Sequence, residues 1–231
     1  KKDLIKYYNL SEKRLFVLPF EPNKGLTLNT LKKNNKKYFK DKYGITNNYI
    51  FYPAQFWPHK NHVFILEAIE ILEKNYNLKI NAIFTGTDKG NLNYVKLYAK
   101  SLNLSERVIF PGFVSNQDIA FFYKNAIALV MPTYFGPTNI PPLEAFALDT
   151  PVIYTNKDQF AKNIKDAALL VNLDDPSDLA KAIFNVKKDS SLRKKLIENG
   201  RRNFKECLIF DRVNVLEEII KSFYWKRISW E

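Results

Sequence analysis

The chain has 231 residues, of which 46% are hydrophobic and only 7 are glycine, so it can fill a core and is neither disordered nor of low complexity. Its formal net charge of +12 is compatible with nucleic acid, an anionic membrane surface, small anionic ligands or simply a lysine-rich surface. No segment matches a nucleic-acid-binding motif, and no apolar run is long enough for a bilayer span or a signal peptide. We therefore expect no nucleic-acid partner.

The first 43 residues fit a folded domain less well than the rest. The run Arg14–Pro19 predicts a strand, and the strongly basic run Lys32–Lys42 predicts either a helix with a solvated face or a flexible connection. The chain begins at Lys1 without a methionine, which suggests a piece of a longer protein. The single cysteine, Cys207, cannot form an internal disulfide, and this favours a reducing cytoplasm.

From Tyr49 onward, short apolar runs alternate with longer amphipathic segments. The predicted strands are Tyr49–Tyr52, Lys79–Thr85, Arg107–Phe110 (stopped by Pro111-Gly112), Ala126–Met131, Pro151–Thr155 and Ala168–Val171. The predicted helices are Val63–Lys74, Leu92–Leu102, Asp118–Asn125, Pro141–Leu148, Pro176–Val186, Ser191–Phe204 and Phe210–Trp225. This alternation predicts an α/β fold, a Rossmann-like doubly wound parallel sheet whose ligands bind at the carboxyl ends of the strands.

The loop from Thr133 to Ile140 is rich in Pro, Gly and Asn, and it leads directly into a predicted helix. The free N–H groups and the dipole of a helix start form an anion site, for which a diphosphate is a natural ligand. Glu144 lies in the first turn, where it could accept hydrogen bonds from paired sugar hydroxyls or simply complement the helix dipole.

The same loop resembles the signature of the GT4 family of retaining glycosyltransferases, Glu-x-Phe-Gly-x-Pro-x-x-Glu-Ala. Phe135-Gly136 and Ile140–Ala145 match it, with extra residues inserted between them. The resemblance implies that Glu144 binds the nucleotide ribose. Thr133 occupies the place of the first family glutamate, so backbone amides of the loop are expected to take over its contacts with the donor. These are Gly136, Pro137, Thr138, Asn139 and Ile140.

A second match covers Pro53–Asn61, where the family carries an arginine and a lysine that bind the donor phosphates. Lys60 and Asn61 match the family pattern, whereas Gln55 stands in the place of the arginine. The resemblance therefore implies that Lys60 is catalytic and stabilises the leaving diphosphate, with Gln55 and Asn61 beside it. The alternative is one more solvated surface lysine.

Two further loops complete the resemblance. Gly86 follows the second strand of the domain in a turn that lets the backbone approach a ligand, and Phe113 and Val114 follow the third, where the family brackets the nucleotide base. Ordinary turn chemistry explains both loops equally well. His59 and His62 lack an accompanying Cys or carboxylate cluster, and no Asp-x-Asp motif is present, so neither a metal nor a cofactor is expected.

The resemblance implies the C-terminal half of a GT-B fold. Residues 1–43 would be the crossover linker from a missing N-terminal domain, 44–208 the nucleotide-sugar-binding domain, and 209–231 a helix that returns to the missing domain. Phe223 and Trp230 would then face that domain.

The implied reaction is transfer of a hexose from a nucleoside diphosphate sugar to a glycan or lipid-linked glycan, with retention, in cell-surface polysaccharide biosynthesis. The loops resemble those of mannosyltransferase-like members, which favours GDP-mannose as donor. The expected location is the cytoplasm, and peripheral contact with the inner face of the membrane is compatible with it. The alternatives are a GT-B-fold sugar-nucleotide epimerase and a non-catalytic module that binds anions or membranes.

Overall fold

The computed structural model describes residues 1–18, 20, 36–45, 48–136, 140–156 and 164–228. The chain divides into two compact units, a large one over Pro22–Phe204 and a small one formed by Lys1–Glu21 and Lys205–Glu231. None of the helices in the described ranges combines the length and the apolar composition that a membrane span requires.

The large unit is built on a six-stranded sheet. Its strands are β1 (Tyr49–Pro53), β2 (Asn81–Thr85), β3 (Val108–Gly112), β4 (Leu129–Met131), β5 (Val152–Thr155) and β6 (Ala168–Val171). They lie in the order β3-β2-β1-β4-β5-β6, and every described pairing is parallel. This is the order of a doubly wound Rossmann-like sheet, so the predicted fold class is confirmed. Chain order reverses between β1 and β4, and a crevice for a ligand is expected beyond their carboxyl ends.

The described helices are α1 (Lys2–Tyr8), α2 (Lys36–Tyr43), α3 (His62–Tyr76), α4 (Leu92–Ser101), α5 (Asn116–Asn125), α6 (Ile140–Ala147), α7 (Pro176–Lys188), α8 (Ser190–Ile209) and α9 (Arg212–Ile228), with short 3-10 turns at Glu12–Arg14, Pro58–Lys60, Ser105–Arg107 and Lys165–Ala167. Helices α3 to α6 connect the strands from β1 to β5 in the predicted alternation, and the other helices precede β1 or follow β6.

Both faces of the sheet are covered, as two neighbours in β1 show. Side chains alternate between faces along a strand, so Phe51 and Tyr52 point to opposite sides. The Phe51 ring meets Tyr123 of α5 edge-on at 4.9 Å, whereas the Tyr52 ring lies 4.9 Å from His62 of α3. Both β1 side chains are fully buried. The nearly continuous apolar strands of the sequence therefore form the core between two helical layers.

Strand β3 runs further than predicted. The predicted strand ends at Phe110 because Pro111-Gly112 is a strand breaker, but both residues belong to β3. Gly112 pairs with Thr85 of β2 after a register shift. β3 is an edge strand, where a proline without an N–H leaves no ladder bond unmade. The strand begins at Val108 because Arg107 closes a 3-10 turn.

The strand predicted over Arg14–Pro19 is wrong for the described residues. Arg14 ends the 3-10 turn Glu12–Arg14, and residues 15–18 belong to no strand. Pro19 lies outside the described residues. A strand requires a neighbour for its ladder, and the described chain provides none here.

Helix α2, which the sequence analysis assigned to the linker, lies in the large unit and packs on its core. Phe39 is buried, and its ring stacks on Phe121 of α5. Lys42 and Tyr43 both donate hydrogen bonds to Asp118, at 3.0 and 2.7 Å. Residues 36–43 therefore form a docked helix and not a flexible connection; residues 32–35 of the same basic run lie outside the description.

The small unit ends in α9, which begins two residues later than predicted. Asp211 caps this helix, because the Asn214 backbone N–H donates a hydrogen bond to Asp211 Oδ1 at 3.0 Å. Val213, Leu216, Ile220 and Phe223 of this helix are exposed. Trp230 lies outside the described residues. The return of this helix to another domain stays a prediction.

Candidate functional site

A cavity of about 320 Å³ lies at the carboxyl ends of β1 and β4, where the change in strand order predicts a ligand site. The loop after β1 forms one wall, and the loop after β4 with the start of α6 forms the other. The described residues that line it are Pro53, Ala54, Gln55, Trp57, His59, Lys60, Met131, Thr133, Gly136, Pro141 and Tyr154. Of the predicted site residues, the fold thus brings Gln55, Lys60 and Gly136 together.

Lys60 provides the positive charge of this cavity. A Cβ placed on Gly136 would lie 3.3 Å from the Lys60 amine, so the lysine of the first loop reaches the glycine of the second. Among the described residues no carboxylate pairs with Lys60, and burial lowers the pKa of its amine. A half-buried amine without a counter-ion favours an anionic ligand, because an anion would restore the lost solvation of the charge.

Three hydrogen bonds hold the backbone that carries Lys60. The Tyr52 hydroxyl donates to the Lys60 carbonyl at 3.0 Å, and the Tyr134 N–H and the Thr133 hydroxyl donate to the His59 carbonyl at 3.0 and 3.2 Å. The two walls of the cavity are therefore tied together through the main chain of the Lys60 loop.

Thr133 does not replace the family glutamate chemically. Its side chain is fully buried, and its hydroxyl lies 2.7 Å from the Phe135 carbonyl as well as 3.2 Å from that of His59. A hydroxyl has a single proton to donate, and both nearby acceptors belong to the protein. Thr133 therefore shapes the loop after β4.

The start of α6 offers fewer donors than a typical helix start. Two of its first three residues, Pro141 and Pro142, have no N–H, so Ile140 and Leu143 supply the free amides of the first turn. The predicted anion site accordingly depends more on Lys60 and less on the backbone than the sequence analysis assumed. Ile140 is half-buried at the first helical position, whereas Pro137, Thr138 and Asn139 lie outside the described residues.

Glu144 is the fifth residue of α6, so it lies beyond the first turn in which it was predicted, because the helix begins at Ile140 and not at Pro141. A tyrosine that was not predicted as a site residue holds it in place. The Tyr123 hydroxyl donates to Glu144 Oε2 at 2.8 Å. Tyr123 is fully buried, and its carbonyl accepts a hydrogen bond from the Thr150 hydroxyl at 2.8 Å. Burial raises the pKa of Glu144, and the tyrosine hydrogen bond offsets part of this rise. A half-buried carboxylate with one oxygen fixed by a rigid donor is suited to accept hydrogen bonds with the other.

Gly86 is explained by a contact within the protein. Its φ is +149°, and a Cβ at this position would lie 2.4 Å from the Ala54 carbonyl oxygen. The loop after β1 therefore passes directly over Gly86. The Ala54 N–H of this loop donates a hydrogen bond to the carbonyl of Thr85, the residue before Gly86, at 2.9 Å. The space that glycine leaves is filled by Ala54 and not by a ligand, which corrects the reason given for this glycine; its binding role stays a prediction.

Three other predicted residues, Phe113, Val114 and Asn61, do not line this cavity. Phe113 and Val114 line a separate cavity of about 810 Å³ beside α2 and the start of α5. Asn61 is buried in a left-handed conformation (φ 56°) between the 3-10 turn at Pro58–Lys60 and α3. Gln55, in contrast, lines the cavity, and its side-chain oxygen accepts a hydrogen bond from Trp57 Nε1 at 3.0 Å.

The two histidines occupy different surroundings. His62 is fully buried with its ring stacked on Phe56 at 4.6 Å, and burial lowers its pKa to about 3. His59 lies at the cavity with its ring stacked on Phe135 at 4.1 Å. Within the described ranges, no group of three or more His, Cys, Asp or Glu residues could hold a metal ion.

The sequence carried one signal for the missed partner of Glu144. Tyr123 ends the aromatic run Phe121-Phe122-Tyr123 on a predicted helix, and a buried tyrosine needs a partner for its hydroxyl. Which acceptor it finds depends on the packing of α5 against α6, which a sequence does not reveal.

Comparison with known proteins accords with this geometry. The profile described as "Glycosyl transferases group 1" matches residues 35–203. The O-antigen chain mannosyltransferase RfbU of Salmonella typhimurium is 29% identical over 189 residues, which cover 80% of this chain and 48% of that protein. The chain thus spans about half the length of this relative.

Two solved structures share the fold. A glycosyltransferase from Rickettsia africae superposes with a TM-score of 0.80 at 20% identity, covering 95% of this chain and 61% of that one. Anabaena Alr3699/HepE, solved in complex with UDP, gives a TM-score of 0.70 at 16% identity, covering 86% and 55%. The resemblance inferred from the two loops is thereby confirmed, and the chain belongs to the glycosyl transferases group 1 family.

Proposed function

We propose that the cavity between the loops after β1 and β4 binds a nucleoside diphosphate sugar, the donor of a retaining glycosyl transfer. The observation that carries this proposal is the half-buried Lys60 amine, which has no carboxylate partner among the described residues and lies beside Gly136 at the approach to α6. A diphosphate fits this charge, because two negative groups can contact the amine and the amides of Ile140 and Leu143 together.

The reaction breaks the bond between the anomeric carbon and the diphosphate oxygen. The acceptor hydroxyl oxygen forms the new bond to the anomeric carbon, and its proton passes to the departing diphosphate. Negative charge accumulates on the departing diphosphate, where the half-buried Lys60 amine stabilises it. Glu144 accepts hydrogen bonds from the ribose and orients the nucleotide. No step assigned to these residues requires a metal.

We propose mannose as the transferred hexose and GDP-mannose as the donor. The mannosyltransferase name of the Salmonella relative supports the sugar. The UDP complex of the Anabaena neighbour supports nucleoside diphosphate binding in this fold but concerns a different base. The acceptor would be a glycan or a lipid-linked glycan of a cell-surface polysaccharide, bound by a preceding domain, with the protein in the cytoplasm in peripheral contact with the membrane.

Calorimetric titration with GDP, UDP and ADP tests the donor site. We expect one nucleotide to bind in preference to the others, and Glu144→Ala to weaken that binding by about tenfold, because a hydrogen bond to a charged group is lost. Glu70→Ala is the matched control, since it removes a half-exposed carboxylate that pairs with Lys74 on α3, away from the cavity lining. A folded wild-type chain that binds none of the three would contradict the proposal. Salt-sensitive binding to anionic vesicles without nucleotide preference would favour the non-catalytic module instead.

The pH dependence of nucleotide affinity tests the role of Glu144 further. Protonation removes acceptor capacity, so affinity falls as the pH drops through the raised pKa of Glu144. Tyr123→Phe removes the donor that favours the charged carboxylate, which raises this pKa further. We therefore expect the fall to begin at a higher pH in Tyr123→Phe, and the affinity near neutral pH to drop about fivefold. A uniform loss at every pH would show instead that Tyr123 only supports the packing.

A further inference from the structure

Three aromatic rings form a stack at the mouth of the cavity. The His59 ring lies between the others, 4.1 Å from Phe135 with an interplanar angle of 16°, and 6.2 Å from Trp57 with an angle of 24°. Trp57 and His59 line the cavity, and Phe135 precedes the lining residue Gly136. Phe135 is 55% exposed and Trp57 41%, unlike the fully buried rings of the core.

Both faces of the His59 ring are covered in this stack, so the ring face that suits the apolar side of a pyranose is the outer face of the exposed Phe135. The face of an aromatic ring carries partial negative charge, and the C–H bonds on one side of a sugar ring present partial positive charge with little need for water. Burial and the neighbouring Lys60 lower the pKa of His59, which keeps its imidazole uncharged near neutral pH. Trp57 also directs its N–H to Gln55, which fixes the outer ring of the stack.

We propose that the outer face of Phe135, which His59 and Trp57 support from behind, is the platform on which the hexose of the donor lies. The position of Phe135 selects the donor sugar as the ligand. Phe135 is adjacent to Gly136, which lies beside the Lys60 amine, so a hexose attached to a diphosphate at Lys60 is within reach of the rings.

This inference rests on the proposed function, and one set of titrations separates the two. The nucleoside diphosphate that binds best is compared with its sugar conjugate, GDP with GDP-mannose or UDP with UDP-glucose. The wild-type chain is expected to bind the conjugate more tightly. Phe135→Leu, which keeps an apolar side chain but removes the ring, is expected to weaken conjugate binding about fivefold and to leave nucleoside diphosphate binding within about twofold.

Tyr94→Leu is the matched control, because Tyr94 is a similarly exposed aromatic residue (56%) on α4 that does not line the cavity. His59→Phe keeps a ring in the centre of the stack and should retain the preference for the conjugate. A wild-type chain that binds neither nucleotide overturns the proposed function and this inference with it. A chain that binds the nucleoside diphosphate but shows no preference for the conjugate, or whose Phe135→Leu variant keeps that preference or loses both affinities equally, overturns the inference alone.

Discussion

Replacing Lys60 with glutamine is expected to lower the affinity for a nucleoside diphosphate by about 10- to 100-fold, the effect of losing a charge-assisted contact in a shielded site. The amine is half-buried and reaches Gly136, and within the described residues it has no carboxylate to satisfy. The two prolines at the start of α6 make the loss more severe, because they remove backbone donors that could compensate. Calorimetric titration of both chains with the same nucleotide measures the difference.

Lys79→Gln provides the matched control for charge. Lys79 is exposed and pairs with Glu73. It precedes β2 and so lies near the amino ends of the strands, whereas the cavity lies at their carboxyl ends. Removing its charge changes the net charge of the protein equally, so a similar loss of affinity in both variants would show that only the overall basic character of the chain matters. Thermal unfolding of Lys60→Gln confirms that the variant is folded.

Replacing Gly86 with alanine is expected to reduce the free energy of unfolding by about 3 kcal/mol or more, since it combines backbone strain with a steric clash. The added methyl group would lie 2.4 Å from the Ala54 carbonyl oxygen, and the φ of +149° is unfavourable for any side chain. The loop that must give way is the one that leads to Lys60. Urea unfolding curves measure the change in stability.

Gly90→Ala separates the strain from the clash. Gly90 also has a positive φ, +92°, but a Cβ there meets no atom within 4 Å. Its alanine variant should lose only about 1 kcal/mol, the effect of backbone strain alone. Equal losses in the two variants would rule out the close approach of Ala54 as the reason for glycine at position 86.

The sheet was predictable because its strands are buried on both faces. A segment such as Tyr49–Tyr52 is apolar at every position, which distinguishes it from the amphipathic helices around it. The errors occurred where burial does not decide the conformation. Pro111-Gly112 continues β3 because an edge strand tolerates proline. Residues 15–18 are apolar without forming a strand because no segment in the described part of the chain pairs with them.

The candidate site was only partly predictable. Strand order explains why Lys60 and Gly136 meet, since the loops after β1 and β4 are neighbours wherever chain order reverses. The partner of Glu144 and the stack of Trp57, His59 and Phe135 depend on the packing of side chains from separate segments. Likewise, the reason for Gly86 lies in a carbonyl of another loop, and periodicity carries no information about such contacts.

The seam between β1 and β4 has a consequence for the order in which the large unit assembles. Phe51 pairs with Leu129, so the two halves of the sheet join through residues far apart in the chain, and such non-local contacts form late in folding. During synthesis, β1 through β3 emerge before β4, so one side of β1 stays unpaired until β4 has been made. The cavity is therefore absent until β4 pairs with β1. A ligand that bridges Lys60 and the start of α6 would bind only the completed sheet, and would slow the separation of its two halves.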